Sequence, residues 1–155
     1  MSHSEHADVW IQKDYSPENS HCYGCGVANP HGYGLKTYLT GTETVSRFTP
    51  DAMYSGGVPG NVYGGMIASL FDCHGTASAA AFHRQHSDDP SGPLGRFVTA
   101  SLHVNFLAPT PQAQELTVSG VLKAIDGRKV WVDMTLRAGE TICATAEMLA
   151  IALRR

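Results

Sequence analysis

Residues 63–82 read YGGMIASLFDCHGTASAAAF, and this stretch decides the fold. Met66, Ile67, Leu70, Phe71, Ser78 and Ala81 recur at three- and four-residue spacing, which predicts a helix over Tyr63–Phe82. Asp72 is its sole charged side chain, and its second half is built largely from small residues: Gly75, Ala77, Ser78, Ala79 and Ala80. A helix without a polar face is one buried on most sides. Paired glycines, Gly64 and Gly65, open it. The first amides of a helix have no intrahelical acceptor, and the peptide dipoles add partial positive charge there, so this end suits negative charge.

Upstream, His21–Gly34 (HCYGCGVANPHGYG) is rich in glycine and reads as an ordered loop. Leu35–Thr40 and Thr44–Thr49 read as two strands joined at Gly41 and Thr42, and Asp51–Gly60 as a second loop. Downstream, His83–Gly95 is loop, and period-two alternation then takes over. Val98, Ala100, Leu102, Val104 and Phe106 fall on one face; Thr99, Ser101, His103 and Asn105 fall on the other. Pro109 and Pro111 end that strand. Leu116–Ile125 follows, then Asp126-Gly127, a strong hairpin signal. Val130, Val132, Met134 and Leu136 alternate with polar neighbours, Gly139 turns the chain, and Ile142–Leu153 is the last strand. The order is two strands, one buried helix, then four strands. The simplest packing is α+β: an antiparallel sheet of five to six strands wrapped around one long central helix, the hotdog fold. Val9, Trp10 and Ile11 begin a short helix or a packed arm, and Met1–Glu5 reads as frayed. Residues 1–20 are thus expected as an N-terminal arm and 21–155 as a single domain.

Composition narrows the function. The chain has 155 residues, 43% of them apolar and 16% charged, which suits one packed core and excludes a disordered chain. A net charge of −3 argues against nucleic acid and against an anionic membrane surface as partners. Met1–Asp14 has no apolar run of the kind a Sec-type signal needs, and Ile142–Leu153, interrupted by Glu147, is too short to span a bilayer. The expected location is cytoplasmic, with the four cysteines reduced.

The carboxylate in the apolar helix needs a reason, because burying an unpaired charge is expensive. In one reading Asp72 is a nucleophile or general base facing a cleft, and a helix N-terminus serves as the oxyanion hole. In the other, Asp72 only bonds a neighbouring loop. The pattern alone weighs the two equally.

Gly64-Gly65, six residues, then Asp72 resembles the hallmark of PaaI-like hotdog thioesterases. Cys22-Tyr23-Gly24-Cys25-Gly26, Asn29-Pro30-His31-Gly32 and Gly34-Leu35 resemble the Cys-rich loop and Asn-Pro-x-Gly-Leu of one branch of that family. So do Pro59-Gly60 and the segment Val98–Pro109. The resemblance covers residues 21 to 153. It implies hydrolysis of an acyl-CoA thioester without a cofactor or metal, the acyl group being medium-chain or aromatic. Asp72 matches the catalytic carboxylate, Gly64 and Gly65 the glycines whose amide polarises the carbonyl, and Thr99 the hydroxyl that helps place the attacking water. It also implies a homodimer or homotetramer whose active sites lie at the subunit interface. Tyr63 stands where the family most often has His, and Asn61 where it often has an apolar residue; both are candidate substrate contacts, since each can donate a hydrogen bond. The rival readings are a hotdog protein that binds acyl-CoA without turning it over and, ranked last, a hydratase or dehydratase.

Other residues are discounted. Cys22-x-x-Cys25 beside His21 suggests zinc, but structural zinc wants four ligands and no second pair follows; Cys73 falls on the helix and Cys143 on the last strand. His74 points to a different side of the helix from Asp72 and reads as a packed or interface residue. His83 and His86 read as solvated, and His103 as facing a neighbouring subunit. Lys123, Arg128 and Lys129, around the hairpin near Trp131, are read first as a solvated turn and second as a contact for coenzyme A phosphates.

Overall fold

The computed structural model describes residues 9–154; the stretch Met1–Glu5, expected to fray, lies outside them. In chain order the elements are β1 (Thr37–Thr40), β2 (Glu43–Phe48), α1 (Gly64–Gln85), β3 (Phe97–Phe106), β4 (Leu116–Asp126), β5 (Lys129–Ala138) and β6 (Thr141–Ala152). The strands form one antiparallel sheet in the order β1-β2-β4-β5-β6-β3. Helix α1 packs against it, touching β1, β3, β4, β5 and β6. This is the hotdog arrangement, with six strands.

The hairpins close where left-handed backbone is needed and glycine supplies it without steric cost, as at Gly127 (φ 58°) and Gly139 (φ 59°). Alternation on β5 puts Val130, Val132, Met134 and Leu136 on the helix. Leu70, Phe71 and Phe82 of α1 meet them, together with Val118 and Met148. The small residues of α1 have a packing role: a side chain at Gly75 would come 2.5 Å from the end of Met148. The helix runs three residues beyond its expected end at Phe82, to Gln85.

The arm is packed. Ile11–Asp14 forms a single 3-10 turn; Ile11 and Tyr15 bury against Ala77 and Ala81 of α1. Gln12 is fully buried: its Oε1 accepts from the Thr37 amide at 2.9 Å, and its Nε2 donates to Thr37 Oγ1 at 2.8 Å. These two bonds begin a buried polar seam. Thr37 Oγ1 meets Ser46 Oγ at 2.8 Å, and Ser46 Oγ meets His74 Nδ1 at 2.6 Å. On the far side of the ring, Thr44 Oγ1 lies 3.0 Å from Nε2 and 2.6 Å from Ser78 Oγ. His74 is therefore a core residue with both ring nitrogens engaged, and burial pushes its pKa down from 6.5 to about 3. Gly120, opposite Thr44, keeps the space open: a side chain there would come 2.7 Å from Thr44 Oγ1.

The expected face assignment of β3 needs correction. Thr99 pairs with Ala150 and Ser101 with Leu149, so Ala100 is an extra residue in a β-bulge. The bulge shifts the alternation by one. Phe97 and Thr99 share the helix side with Leu102 and Val104, whereas Val98 is 42% exposed. Strict alternation puts Thr99 on the wrong side because an unpaired residue cannot be seen in a single strand's pattern.

Candidate active site

Asp72 lies two turns into α1, half-buried at a position where its neighbours Phe71 and Cys73 are covered. The bulge in β3 aims Thr99 at it, and Thr99 Oγ1 donates to Asp72 Oδ1 at 2.5 Å. The carboxylate thus has a charge-assisted bond on one oxygen while the side chain keeps access to solvent.

Asp72 opens onto a cavity of about 310 Å³ whose walls include Tyr23, Tyr33, Tyr54, Tyr63, Met66 and Cys73. The aromatic wall is built by the loops the sequence marks. Tyr33 packs its ring on Phe48 (centroids 5.1 Å) and on Tyr54 (6.4 Å), and its hydroxyl meets Ser69 Oγ at 2.8 Å. Tyr63 caps α1 through its carbonyl, which accepts from Met66 and Ile67. Its ring folds back over Gly65, where a Cβ would lie 2.5 Å from it. The second glycine is therefore needed for Tyr63 to reach the cavity.

Gly64 opens the helix on a different groove, of about 380 Å³, shared with Asn61, Ile67, Phe106, Leu107 and Thr110. The Tyr63 side chain makes no cap bond to this helix end, which leaves the glycine amides, among the described residues, available to a ligand. The sequence candidates thus fall into two groups within one chain: Asp72 and Tyr63 line one cavity, with Thr99 bonded to Asp72 and Gly65 under the Tyr63 ring, and Asn61 and Gly64 line the other. Asp72 lies eight residue steps after Gly64, about 12 Å along the axis.

One cluster escaped the sequence reading. The sulfurs of Cys22, Cys25 and Cys73 lie within 4.8 Å of one another, and Cys22 and Cys73 line the Asp72 cavity. Cys22 Sγ lies 3.7 Å from Cys73 Sγ; the neighbouring Cys25 and Cys73 thiols hold the Cys22 pKa below the ordinary range, and closeness to Cys22 pushes Cys25 up to about 12. The only available signal was the Cys22-x-x-Cys25 pair, since Cys73 is 48 residues from Cys25 along the chain. The histidines also differ from expectation in part. His83 is half-buried, with Nε2 3.1 Å from the Gly127 carbonyl and its ring against Phe97, so it ties α1 to the β4–β5 turn. His86 and His103 are exposed. Of the basic hairpin residues, Lys123 pairs with Glu147, and Arg128 donates to the Ala152 carbonyl at 3.1 Å.

A six-stranded hotdog sheet, one buried helix opened by paired glycines, and a hydroxyl-bonded carboxylate on that helix define a protein of the hotdog thioesterase class. Residues 59–145 match the family described as the Thioesterase superfamily, and the chain belongs to that family. A thioesterase superfamily protein from Shewanella loihica PV-4 is 42% identical, covering 82% of this chain and 97% of that one, with a TM-score of 0.66. The acyl-coenzyme A thioesterase THEM4 of Rattus norvegicus is 33% identical over 82 residues, 53% of this chain and 30% of that protein. The chain therefore spans about a third of the length of that curated relative. The PaaI protein of E. coli shares the fold at 15% identity, with a TM-score of 0.64 over 78% of this chain and 80% of that one. No helix among the described residues is long and apolar enough to cross a membrane.

Proposed function

We propose that the protein hydrolyses an acyl-CoA thioester to a free acid and CoA. The observation that carries this reading is the Thr99–Asp72 hydrogen bond at the edge of a tyrosine-lined cavity. The 33% identity to a protein named as an acyl-CoA thioesterase supports the substrate class. Two routes use the same groups. In the first, an Asp72 oxygen attacks the thioester carbonyl, the CoA thiolate leaves, and water hydrolyses the mixed anhydride. In the second, Asp72 takes a proton from a water held beside Thr99, and that water attacks. In both, negative charge grows on the carbonyl oxygen and needs preorganised donors.

Those donors are the Gly64 and Gly65 amides of a second copy. Within one chain Gly64 serves a separate groove, about 12 Å away along the helix. β3 is an edge strand with its outer side free, and Val98, Phe106 and Leu107 are exposed along and beyond it, which suits pairing with a partner. A homodimer or homotetramer then completes each site. Tyr63 borders the carboxylate cavity and Asn61 the glycine groove, so each is a substrate contact in its own half. The same reading takes 21–155 as one cytoplasmic catalytic domain, with 1–20 as its arm and no cofactor in the hydrolysis.

The test is thiol release over a panel of aliphatic and aromatic acyl-CoAs. Turnover that disappears in Asp72→Asn supports the assignment. Tight acyl-CoA binding without thiol release would make the protein a carrier instead.

A further inference from the structure

The cysteine cluster is independent of the hydrolytic chemistry. Cys22 and Cys25 come from the loop that precedes β1, and Cys73 comes from α1. All three are free thiols, with Cys25 and Cys73 buried and Cys22 half-buried. The Cys22 and Cys73 sulfurs are 3.7 Å apart. Sulfurs bound at about 2.3 Å to one tetrahedral zinc are separated by about 3.8 Å, so this pair already has the spacing of a tetrahedral edge.

The loop is shaped to present its two sulfurs together. The amide of Gly26 donates to the Cys22 carbonyl at 2.8 Å and closes the loop around the pair. Gly26 permits the turn: a side chain there would lie 2.4 Å from the Ser20 carbonyl oxygen and 2.5 Å from the Cys22 nitrogen. Gly24 leaves room for the third sulfur, since a Cβ on it would come 2.5 Å from Cys73 Sγ. Arg96 supplies positive charge near Cys25.

We propose that Cys22, Cys25 and Cys73 bind one zinc ion, with water from the adjoining cavity as the fourth ligand. Three thiolates are a soft donor set that favours zinc and disfavours magnesium or calcium. Cys22 and Cys73 both border the Asp72 cavity while Cys25 lies behind them, so the fourth position opens into it. Binding forms three Zn–S bonds and releases to solvent the protons that the thiols still carry, with no change in oxidation state. The ion clips the loop to α1 one residue from Asp72, beside the Tyr33–Ser69 hydrogen bond that joins the same two elements. Sequence reading rejected zinc for lack of further ligands; the fold supplies the third from the helix.

The experiment uses the full chain, reduced and freed of metal, titrated with cobalt(II) as the probe and then with zinc. Expected are saturation at a single cobalt per chain, sulfur-to-cobalt charge-transfer absorption, the intense visible bands of tetrahedral cobalt, and loss of both on adding zinc. Protein purified without chelator carries stoichiometric zinc by mass spectrometry, and Cys143→Ser keeps it. Cys73→Ser and Cys22→Ser weaken zinc binding by more than about 100-fold. The cobalt spectrum of the parent protein carries the test even if those variants fail to fold. Absence of the charge-transfer band, equal loss in Cys143→Ser, or a Cys22–Cys73 disulfide that persists under reductant overturns the proposal. None of these outcomes bears on whether Asp72 is needed for thiol release.

Discussion

Thr99 donates from β3 to the Asp72 carboxylate on α1 across 27 residues of chain, at 2.5 Å, and it does so because a bulge at Ala100 turns it inward. The bond occupies one oxygen of Asp72 and fixes its rotamer. The other oxygen is left for chemistry. Under the proposed hydrolysis, the Thr99 hydroxyl also bonds the attacking water.

Removing the hydroxyl without changing the shape isolates this contribution. A hydrogen bond to a charged group is worth about 1.5–3 kcal/mol, which corresponds to roughly 10- to 100-fold in rate if it is made in the transition state. Thr99→Val is expected to lower kcat by that factor with KM little changed, and Thr99→Ser to keep most of the activity. Asp72→Asn is expected to cost about 10²–10⁴-fold or more. Steady-state thiol release on one acyl-CoA measures all three. Equal kcat for Thr99→Val and the parent would leave Thr99 with a purely architectural role.

The neutral imidazole of His74 makes stability depend on pH. Its pKa is about 3 folded against 6.5 unfolded, so between those values the unfolded chain binds a proton that the folded chain excludes. Stability from this group is complete above pH 6.5 and declines as the pH falls toward 3. At pH 5 the loss is about 2 kcal/mol. Denaturant titrations at pH 7.5 and pH 5 are expected to show this difference in the parent and a smaller one in His74→Asn, which retains a polar partner for Ser46. Identical pH dependence in the two proteins would mean that the seam tolerates the charged ring.

What was legible in the sequence is what is local. The helix, the β4–β5 hairpin and the alternation of β5 depend on neighbours within a few residues; all three are present, with the helix running on to Gln85 and the turn one residue later than expected, at Gly127-Arg128 between the paired Asp126 and Lys129. Asp72 was legible as a lone carboxylate in an apolar helix, with the pattern weighing a catalytic and a structural role equally; Thr99 was legible only through family resemblance, since strict alternation turns it away from the helix. The bulge that corrects this is a property of the β3–β6 pair. The polar seam links Gln12, Thr37, Ser46 and His74 over 62 residues of chain, and Cys73 meets Cys22 over 51; neither spacing has a periodic signature.

At Gly24, Gly26 and Gly32 the loop that carries Cys22 and Cys25 depends on glycine for lack of space, and at Gly34 (φ 61°) for turn conformation. At Gly26 a methyl group would meet three backbone atoms within 2.7 Å, and backbone cannot swing aside as a side-chain tip can. Gly26→Ala is expected to cost about 1–3 kcal/mol, a fall in Tm of roughly 3–10 °C. Gly57→Ala, where no heavy atom lies within 4 Å, serves as the neutral comparison. Differential scanning calorimetry of the two variants distinguishes them, and equal melting temperatures would show that the loop rearranges freely.

The division of the candidates between two cavities makes the proposed site a property of a pair of chains, and that can be tested by mixing. Asp72→Asn removes the carboxylate; Gly64→Val leaves the carboxylate intact but places a branched side chain over the first helix amide, on the groove it shares with Phe106. Each variant alone is expected to be nearly inactive. In a hybrid dimer, isolated with two different affinity tags, one site receives the defective carboxylate and the defective helix start together. The other site receives both native halves. The hybrid is expected to recover about half the parent's turnover per dimer, because two-fold symmetry builds two equivalent sites. If each site were instead built within one chain, every site of the hybrid would carry one defect, and the hybrid would be as inactive as its parents.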